Sequence, residues 1–409
     1  MAAPATPAAP PDPVAPVAPK APPPRRSPLS WRSRAFRGWL YQGVALALIA
    51  LAAAYLLHNT LENMRVRGIQ SGFDFIEQPA GFAIGESVVP FDSSESYGKA
   101  FLVGLSNTFR VAVLGIFAAT VLGTLVGIGR LSRNTLVRSL SGAYVDGIRN
   151  VPLLLQLFIW YFVLTEKLPP IEEALQPLPG VFFSKNGLQF PHPVWAPGHW
   201  LTLAGFALGC AGVWAWSRYS RARFERTGRP LPLLLPALAV LALGTALGWL
   251  AGGAPGAMDT PEKTEINVVG GGAVTPEFLT VLVGLTVYTA AYIAEVVRGG
   301  IQAVPFGQHE ASVSLGLTRA RELRLVQLPQ ALRVIIPPMT NQYLNLTKNS
   351  SLAVAVGYPD LVSISTTSLN QTGRAIECIA LVMACYLTLS LLTSAAMNWY
   401  NRRAAIRER

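Results

Sequence analysis

Residues 310 to 329 read Glu-Ala-Ser-Val-Ser-Leu-Gly-Leu-Thr-Arg-Ala-Arg-Glu-Leu-Arg-Leu-Val-Gln-Leu-Pro, a polar and basic segment set between two apolar stretches. Ala311 and Leu315 stand at i and i+4, which gives a short helix an apolar face beside the polar Glu310 and Ser314. Gly316 is suited to carry the backbone through a sharp turn. Thr318 is then a candidate N-cap for a second short helix reaching about Leu325, which Pro329 is expected to end. Two short helices with the Glu310 carboxylate at their tip suit mechanical coupling to another protein; an ordinary amphipathic loop is the plain alternative.

The sequence on either side belongs in a membrane. The chain is 51% hydrophobic and only 13% charged, with a mean hydropathy of +0.38, whereas a soluble domain carries roughly 25% charged residues. Apolar runs long enough to cross a hydrocarbon core about 30 Å thick recur along it. Eight are read, at 39–57, 108–129, 145–165, 200–216, 233–251, 277–297, 331–356 and 376–397. Trp195, Trp200, Trp214 and Trp216 flank the short fourth run, as interfacial anchors do.

The formal charge of +11 raises the question of nucleic acid, and its distribution answers it. With eight spans and the N-terminus inside, the inner segments collect most of the 33 basic residues. These include Arg25, Arg26 and Arg32, then Arg130, Arg133 and Arg138, the run Arg218 to Arg226, and Arg298, Arg319 and Arg321, and finally Arg402 and Arg403. The positive-inside rule therefore places both termini and the 298–330 loop on the cytoplasmic side. The basicity is a topology signal, with no nucleic-acid partner.

Residues 1–38 are mostly Ala and Pro with a few charges, and over 2–28 they cannot build a core, so a disordered cytoplasmic tail is expected. An anchor helix and outer segment follow over 39–99, where Gly72 to Phe75 and Ala80 to Phe82 suggest a short interfacial lid. The transmembrane domain proper spans 100–400, with a hairpin inserted at 200–251 and a C-terminal tail at 401–409. The outer segment 166–199 holds seven prolines and is expected to be irregular; the Gly-rich 252–275 is also external. Cys210, Cys378 and Cys385 fall in predicted spans and read as packing residues, and no Cys/His cluster has metal-ligand spacing.

The motifs carry a family resemblance. Glu310-Ala311, Ser312, Gly316, Val326 and Leu328-Pro329 resemble the cytoplasmic "EAA" loop of permease subunits in bacterial ABC importers, with Ser312 where the third position is usually Ala. Tyr288 to Ile301, Pro329 to Arg333, Asn341 to Leu352 and the stretch Arg149-Asn150-Val151-Pro152-Leu153-Leu154-Leu155-Gln156 look like the polar amino acid branch, nearest the general L-amino acid permeases. This likeness covers roughly 60–400. It implies an all-α, MetI-like type I importer permease of about eight helices, with a five-helix core and a coupling helix. It further implies ATP-binding ATPase subunits, a second homologous permease as a heterodimer partner, and a periplasmic amino-acid-binding protein. ATP and Mg would be used by the ATPase, this chain binding no cofactor, in the bacterial inner membrane.

Three sets of membrane residues draw a functional reading. Pro337-Pro338 should kink or break the seventh span. Beyond it Asn341, Asn345, Lys348 and Asn349 lie on one helix face, widened by Thr347, Ser350 and Ser351. That face reads as the lining of a substrate pathway, as a polar interface between permease subunits, or as Lys348 snorkelling at the outer boundary. Arg110 either pairs with a substrate carboxylate or marks the outer edge of the second span by snorkelling, and Asn107 and Thr108 share its turn. Glu295 and Arg298, at i and i+3, read as a structural ion pair stiffening the approach to the coupling loop.

No Gly-x-x-x-x-Gly-Lys-Ser/Thr phosphate loop and no catalytic constellation of side chains appears in the spans, so an enzyme is not expected. An ion-coupled secondary transporter for amino acids is the rival class, with a broken seventh span near the midplane. Scarce intramembrane acids and the docking loop weigh against it.

Overall fold

Gly123 and Gly127 decide how the two longest core helices meet. The computed structural model describes residues 34–66, 68, 71–228, 231–264 and 267–404. Helix α2 (Tyr97–Gly129) lies against α7 (Pro276–Gln302). A Cβ on Gly123 would stand 2.7 Å from both Ala290 O and the Ile293 side chain, and one on Gly127 2.7 Å from Ala294 O. Small residues at i and i+4 thus let the two backbones close up, a device common where apolar burial alone does not drive helices together.

Around that pair stand α4 (Leu153–Phe162) and α10 (Leu328–Asn349), with α12 (Ala375–Ala404) packed on α10. Their shared core contains Val111, Ala119, Leu157, Leu285, Ile293, Ile335 and Leu346. A second cluster at the end where α2 begins joins Phe75, Tyr97, Phe101 and Cys378 to Leu361 and Ile364 of α11 (Leu361–Thr372). The chain splits into two units, residues 1–70 and 71–409. The described part of the first is α1 (Arg34–Val66), which begins inside the stretch expected to be tail. The expectations for residues 2–28 and for the last five residues lie outside the described residues.

Six described helices are long and apolar enough to cross a membrane: α1, α2, α5 (Gly198–Thr227), α6 (Leu234–Ala251), α7 and α12. The other two expected spans differ from their prediction. The third is no straight rod. Helix α3 (Thr135–Arg149) and the α4 segment, which widens into a π-turn over Val163–Lys167, meet at 105°. The corner is Asn150-Val151-Pro152: a residue before proline is pushed away from helical geometry, so α3 stops there. Gln156 then donates to the Ile148 and Val151 carbonyls at 2.8 and 2.9 Å, satisfying the end of α3. The seventh span, α10, is helical but too polar to qualify by composition.

Nor do Pro337-Pro338 break α10, which runs as one helix from Leu328 to Asn349. The φ that proline presets is already helical, and the lost donors affect only the carbonyls of Arg333 and Val334, the latter residue 47% exposed. The second span also starts earlier than its apolar run, at Tyr97, where Ser96 caps the helix by accepting from Lys99 N at 3.3 Å.

The proline-rich outer segment is not irregular. It forms strands β1 (Leu175–Leu178), β2 (Val181–Ser184), β3 (Gly187–Phe190) and β4 (His192–Pro193). The Gly-rich segment after α6 supplies β5 (Met258–Asp259), β6 (Glu262–Lys263), β7 (Val268–Val269) and β8 (Gly272–Val274). An antiparallel sheet of order β1-β2-β3-β8 joins the two segments across the inserted hairpin. Prolines are tolerated because Pro177 sits in an edge strand and Pro179 in the turn before Gly180. Helices α5 and α6 pack closely on each other through Gly205, Gly244 and Gly248 and on no other helix to a comparable extent among the described residues.

Candidate functional site

After α7 the chain turns through Ala303 to Pro305 into α8 (Phe306–Ser314). Gly316 follows with φ +69°, the left-handed conformation that a turn here requires. Glu310 and Ala311 are exposed on α8, as is Gly316. Ser312 is buried, its hydroxyl donating to Gln308 O at 2.7 Å. Phe306, Val313 and Leu315 are 71%, 57% and 80% exposed. Apolar side chains of that size around a short protruding helix form a surface that another protein can cover.

Beyond the turn the structure departs from expectation. Thr318 occupies the N-cap position of α9 (Arg319–Glu322) without a side-chain hydrogen bond. Helix α9 passes through a π-turn at Leu323–Gln327 directly into α10, so 319–349 is one continuous helical rod. Pro329 does not end the second helix; it lies just past the π-turn inside this continuous helix. The Leu328 amide, reaching back five residues to Leu323 O, marks the widened turn before it. Leu328 is exposed and Pro329 half-buried.

Inside this element lies a group that sequence reasoning missed. The Glu322 side chain is 2% exposed. His309 Nδ1 lies 2.7 Å from its carboxylate, Arg319 Nη1 donates at 3.1 Å and Gln327 Nε2 at 2.6 Å. Burial alone would raise this carboxyl, but the His309 and Arg319 hydrogen bonds and the Arg319 charge hold it below the usual glutamate range. The available signal was a lone acid among Arg319, Arg321 and Arg324, which by itself does not say which partner it takes.

The rod carries the polar face. Asn341, Asn345 and Lys348 are exposed and Asn349 half-buried, and none of the four side chains has a hydrogen-bond or ionic partner among the described residues. Thr347 and Ser350 do not share that face. Both are buried, and their hydroxyls donate to their own helix, to Tyr343 O at 2.9 Å and Thr347 O at 2.7 Å.

Arg110 is turned onto the segment that precedes α2 and onto α7. Its Nη1 donates to Glu86 at 2.6 Å, and its guanidinium carbon lies 4.0 Å from the Phe278 ring centre. Glu86, 8% exposed, also accepts from Thr275 N at 3.2 Å and from the Thr275 hydroxyl. Asn107 donates to Glu86 O at 2.8 Å and to Pro359 O at 2.9 Å, and Thr108 accepts from Leu361 N at 3.1 Å. Asn107, Thr108 and Arg110 therefore stitch the outer segment and the α11 approach onto α2. A second clasp holds Asp74, to which Arg374 donates twice, at 2.7 and 2.9 Å.

Glu295 and Arg298 pair on α7, and Arg130 at the end of α2 adds a second cation to the same carboxylate. Arg298 also donates to Gln302 at 2.8 Å, and Arg149 lies 5.0 Å over the Tyr292 ring. The cluster joins the ends of α2 and α7 next to the turn into α8.

Comparison with known proteins follows the same outline. Residues 113–406 match the family model described as "Binding-protein-dependent transport system inner membrane component". The chain is 44% identical over 387 residues to the putative amino-acid ABC transporter permease protein YhdX of Escherichia coli, covering 94% of this chain and 98% of that one. It is 43% identical over 376 residues to the general L-amino acid transport system permease protein AapQ of Rhizobium johnstonii, covering 91% and 94%. It is 37% identical over 406 residues to the glutamate/glutamine/aspartate/asparagine transport system permease protein BztB of Rhodobacter capsulatus, covering 91% and 95%.

Proposed function

This chain belongs to the family of binding-protein-dependent transport system inner membrane components, and we propose that it passes polar L-amino acids across the inner membrane, driven through α8 by an ATPase on a separate chain. It is a multi-pass permease of an ABC importer and not an enzyme. The cargo reading draws on the relatives, whose names specify general L-amino acids and the glutamate, glutamine, aspartate and asparagine group. Amides and one ammonium on the open face of α10 offer the donors that an amino acid's carboxylate accepts.

In this reading the arginine-rich end faces the cytoplasm, with both termini, and a second homologous permease covers the α10 face. A periplasmic binding protein delivers cargo to the opposite end. ATP and Mg²⁺ are handled by the partner ATPase. Closure of the ATPase dimer displaces α8, and the core helices alternate between outward- and inward-open states because nucleotide-dependent docking favours each in turn.

The observation that carries the reading is the exposed α8 tip, with Glu310 and bare Phe306, Val313 and Leu315, joined by a continuous rod to the polar face. Vesicles containing the complete importer test it. Glu310→Lys should abolish ATP-driven uptake while the chain remains inserted. Full uptake by that variant refutes the coupling assignment, and uptake that runs on an ion gradient without ATP refutes the class.

A further inference from the structure

The ATPase is read as pushing on α8, yet the cargo face lies on α10, and the chain between them turns at a single glycine. Chain from α8 to α9 passes through Gly316 at φ +69°, where a Cβ would meet nothing within 4 Å. The turn's own backbone bonds, Gly316 N to Val313 O at 2.9 Å and Leu317 N to Ser312 O at 3.1 Å, close the end of α8 and do not reach α9 or α10, so they do not by themselves fix the angle between α8 and the rod.

Glu322 spans that joint. It lies on α9, and its carboxylate takes His309 from α8 at 2.7 Å, Arg319 from α9 at 3.1 Å and Gln327 from the π-turn at 2.6 Å. The carboxylate is 2% exposed, while neighbouring Arg321, Leu323 and Arg324 are exposed. Charge-assisted hydrogen bonds sheltered from water are the stiffer kind, and three converging on one carboxylate fix the angle between the two short helices. A second tie, Gln330 Nε2 to Gln308 Oε1 at 3.0 Å, crosses the same gap but is exposed. Past Gln327 the rod runs uninterrupted to Asn349 and presents Asn341, Asn345 and Lys348.

We infer that Glu322 is the positioning residue that locks α8 to α10, so that a movement of α8 is delivered to the polar face instead of being lost at Gly316. The inference rests on the reading of α8 as the ATPase docking element. Glu322 itself faces inward and touches neither the ATPase nor the cargo. Its loss therefore uncouples the two activities and leaves each partly intact.

The test compares uptake with hydrolysis in proteoliposomes holding the complete importer with its ATPase and binding protein. The probe is whichever of labelled L-glutamate, L-glutamine or L-aspartate the wild-type complex accumulates. Glu322→Ala should still co-purify with the ATPase and hydrolyse ATP, while uptake per ATP falls by about tenfold, within the usual range of coupling between sites. Glu322→Gln, which keeps the shape but loses the charge, should fall between the two. Unchanged uptake per ATP in both variants overturns the inference, and so does release of the ATPase by both, which makes Glu322 a folding residue of the docking surface. Glu310→Lys run in parallel separates the two ideas. If it leaves docking and uptake intact, the docking reading fails; if it removes docking while the Glu322 variants transport normally, only the joint fails.

Discussion

Arg110 on α2 and Glu86 in the outer segment form a sheltered ion pair, 2.6 Å apart, with the guanidinium resting 4.0 Å over Phe278. The arginine side chain is 27% exposed and the glutamate 8%, so the pair is neither fully buried nor a surface contact. Removing one partner from such a pair costs more than the pair contributes, because the other charge is left behind. Arg110→Met alone should lower stability by about 2 kcal/mol, between the values for exposed and buried pairs. The double change Arg110→Met with Glu86→Gln should recover much of that in thermal unfolding in detergent. It should also keep uptake, since the pair is structural; loss of uptake in a stable double variant would instead assign Arg110 to the cargo.

The α10 face should behave in the opposite way. Asn341, Asn345 and Lys348 are exposed, and their side chains have no partner among the described residues. Substituting Asn345→Leu or Lys348→Gln should change the stability of the isolated subunit by less than about 0.5 kcal/mol. Uptake should nevertheless drop sharply. Thr347→Val and Ser350→Ala are inward controls, expected to alter unfolding temperature more than cargo selectivity. Equal effects of the outward and inward sets on selectivity would remove the pathway reading.

At Gly316 the demand is on the backbone alone, since nothing lies within 4 Å of a Cβ there. Gly316→Asn, a residue that tolerates the left-handed region, should keep most uptake. Gly316→Val should lose it, because a β-branched side chain at φ +69° strains the turn and redirects α8. Uptake measured beside ATPase co-purification checks the order, and a Val variant as active as Asn contradicts it.

Glu322 also predicts a pH response. Its folded carboxyl lies below the usual glutamate value of about 4.3. A depressed acid stabilises the folded state above the unfolded value, and that contribution is lost as pH falls through the lower, folded value. The Glu322 contribution should therefore be constant from pH 8 to about 5 and fade only in stronger acid. A spin label on Leu315→Cys should report the loss of that contribution as loosening below about pH 5. Added Glu322→Gln should loosen it at every pH; a wild-type transition near neutrality would exclude this carboxylate as its source.

Much of the architecture was legible because it depends on local properties. Spans α1, α2, α5, α6, α7 and α12 follow from length and apolarity, which need no partner to be read. The Glu295–Arg298 pair was likewise visible, since i and i+3 on a helix are neighbours wherever the helix goes. Arg130 was not, because it reaches the same carboxylate from another helix. Glu322 was hidden for a related reason: His309 lies thirteen residues away, and only the turn at Gly316 folds α8 back onto it. The strands of the outer segments were obscured by their prolines, and β3 finds β8 only across the whole α5–α6 insertion.

The sequence by itself determined that this chain crosses a membrane repeatedly, which end carries the arginines, and that an element of fixed spacing stands between α7 and α10. These follow from transfer free energies and chain geometry, which sum along the chain residue by residue. The tertiary structure decided which polar groups are already satisfied. It turned Arg110 onto Glu86, Thr347 and Ser350 back onto their own helix, and Glu322 into a joint, while leaving Asn341, Asn345 and Lys348 open. A buried polar group is stable only with a partner, and such partners come from other elements, so their pairing exists only once the chain has folded.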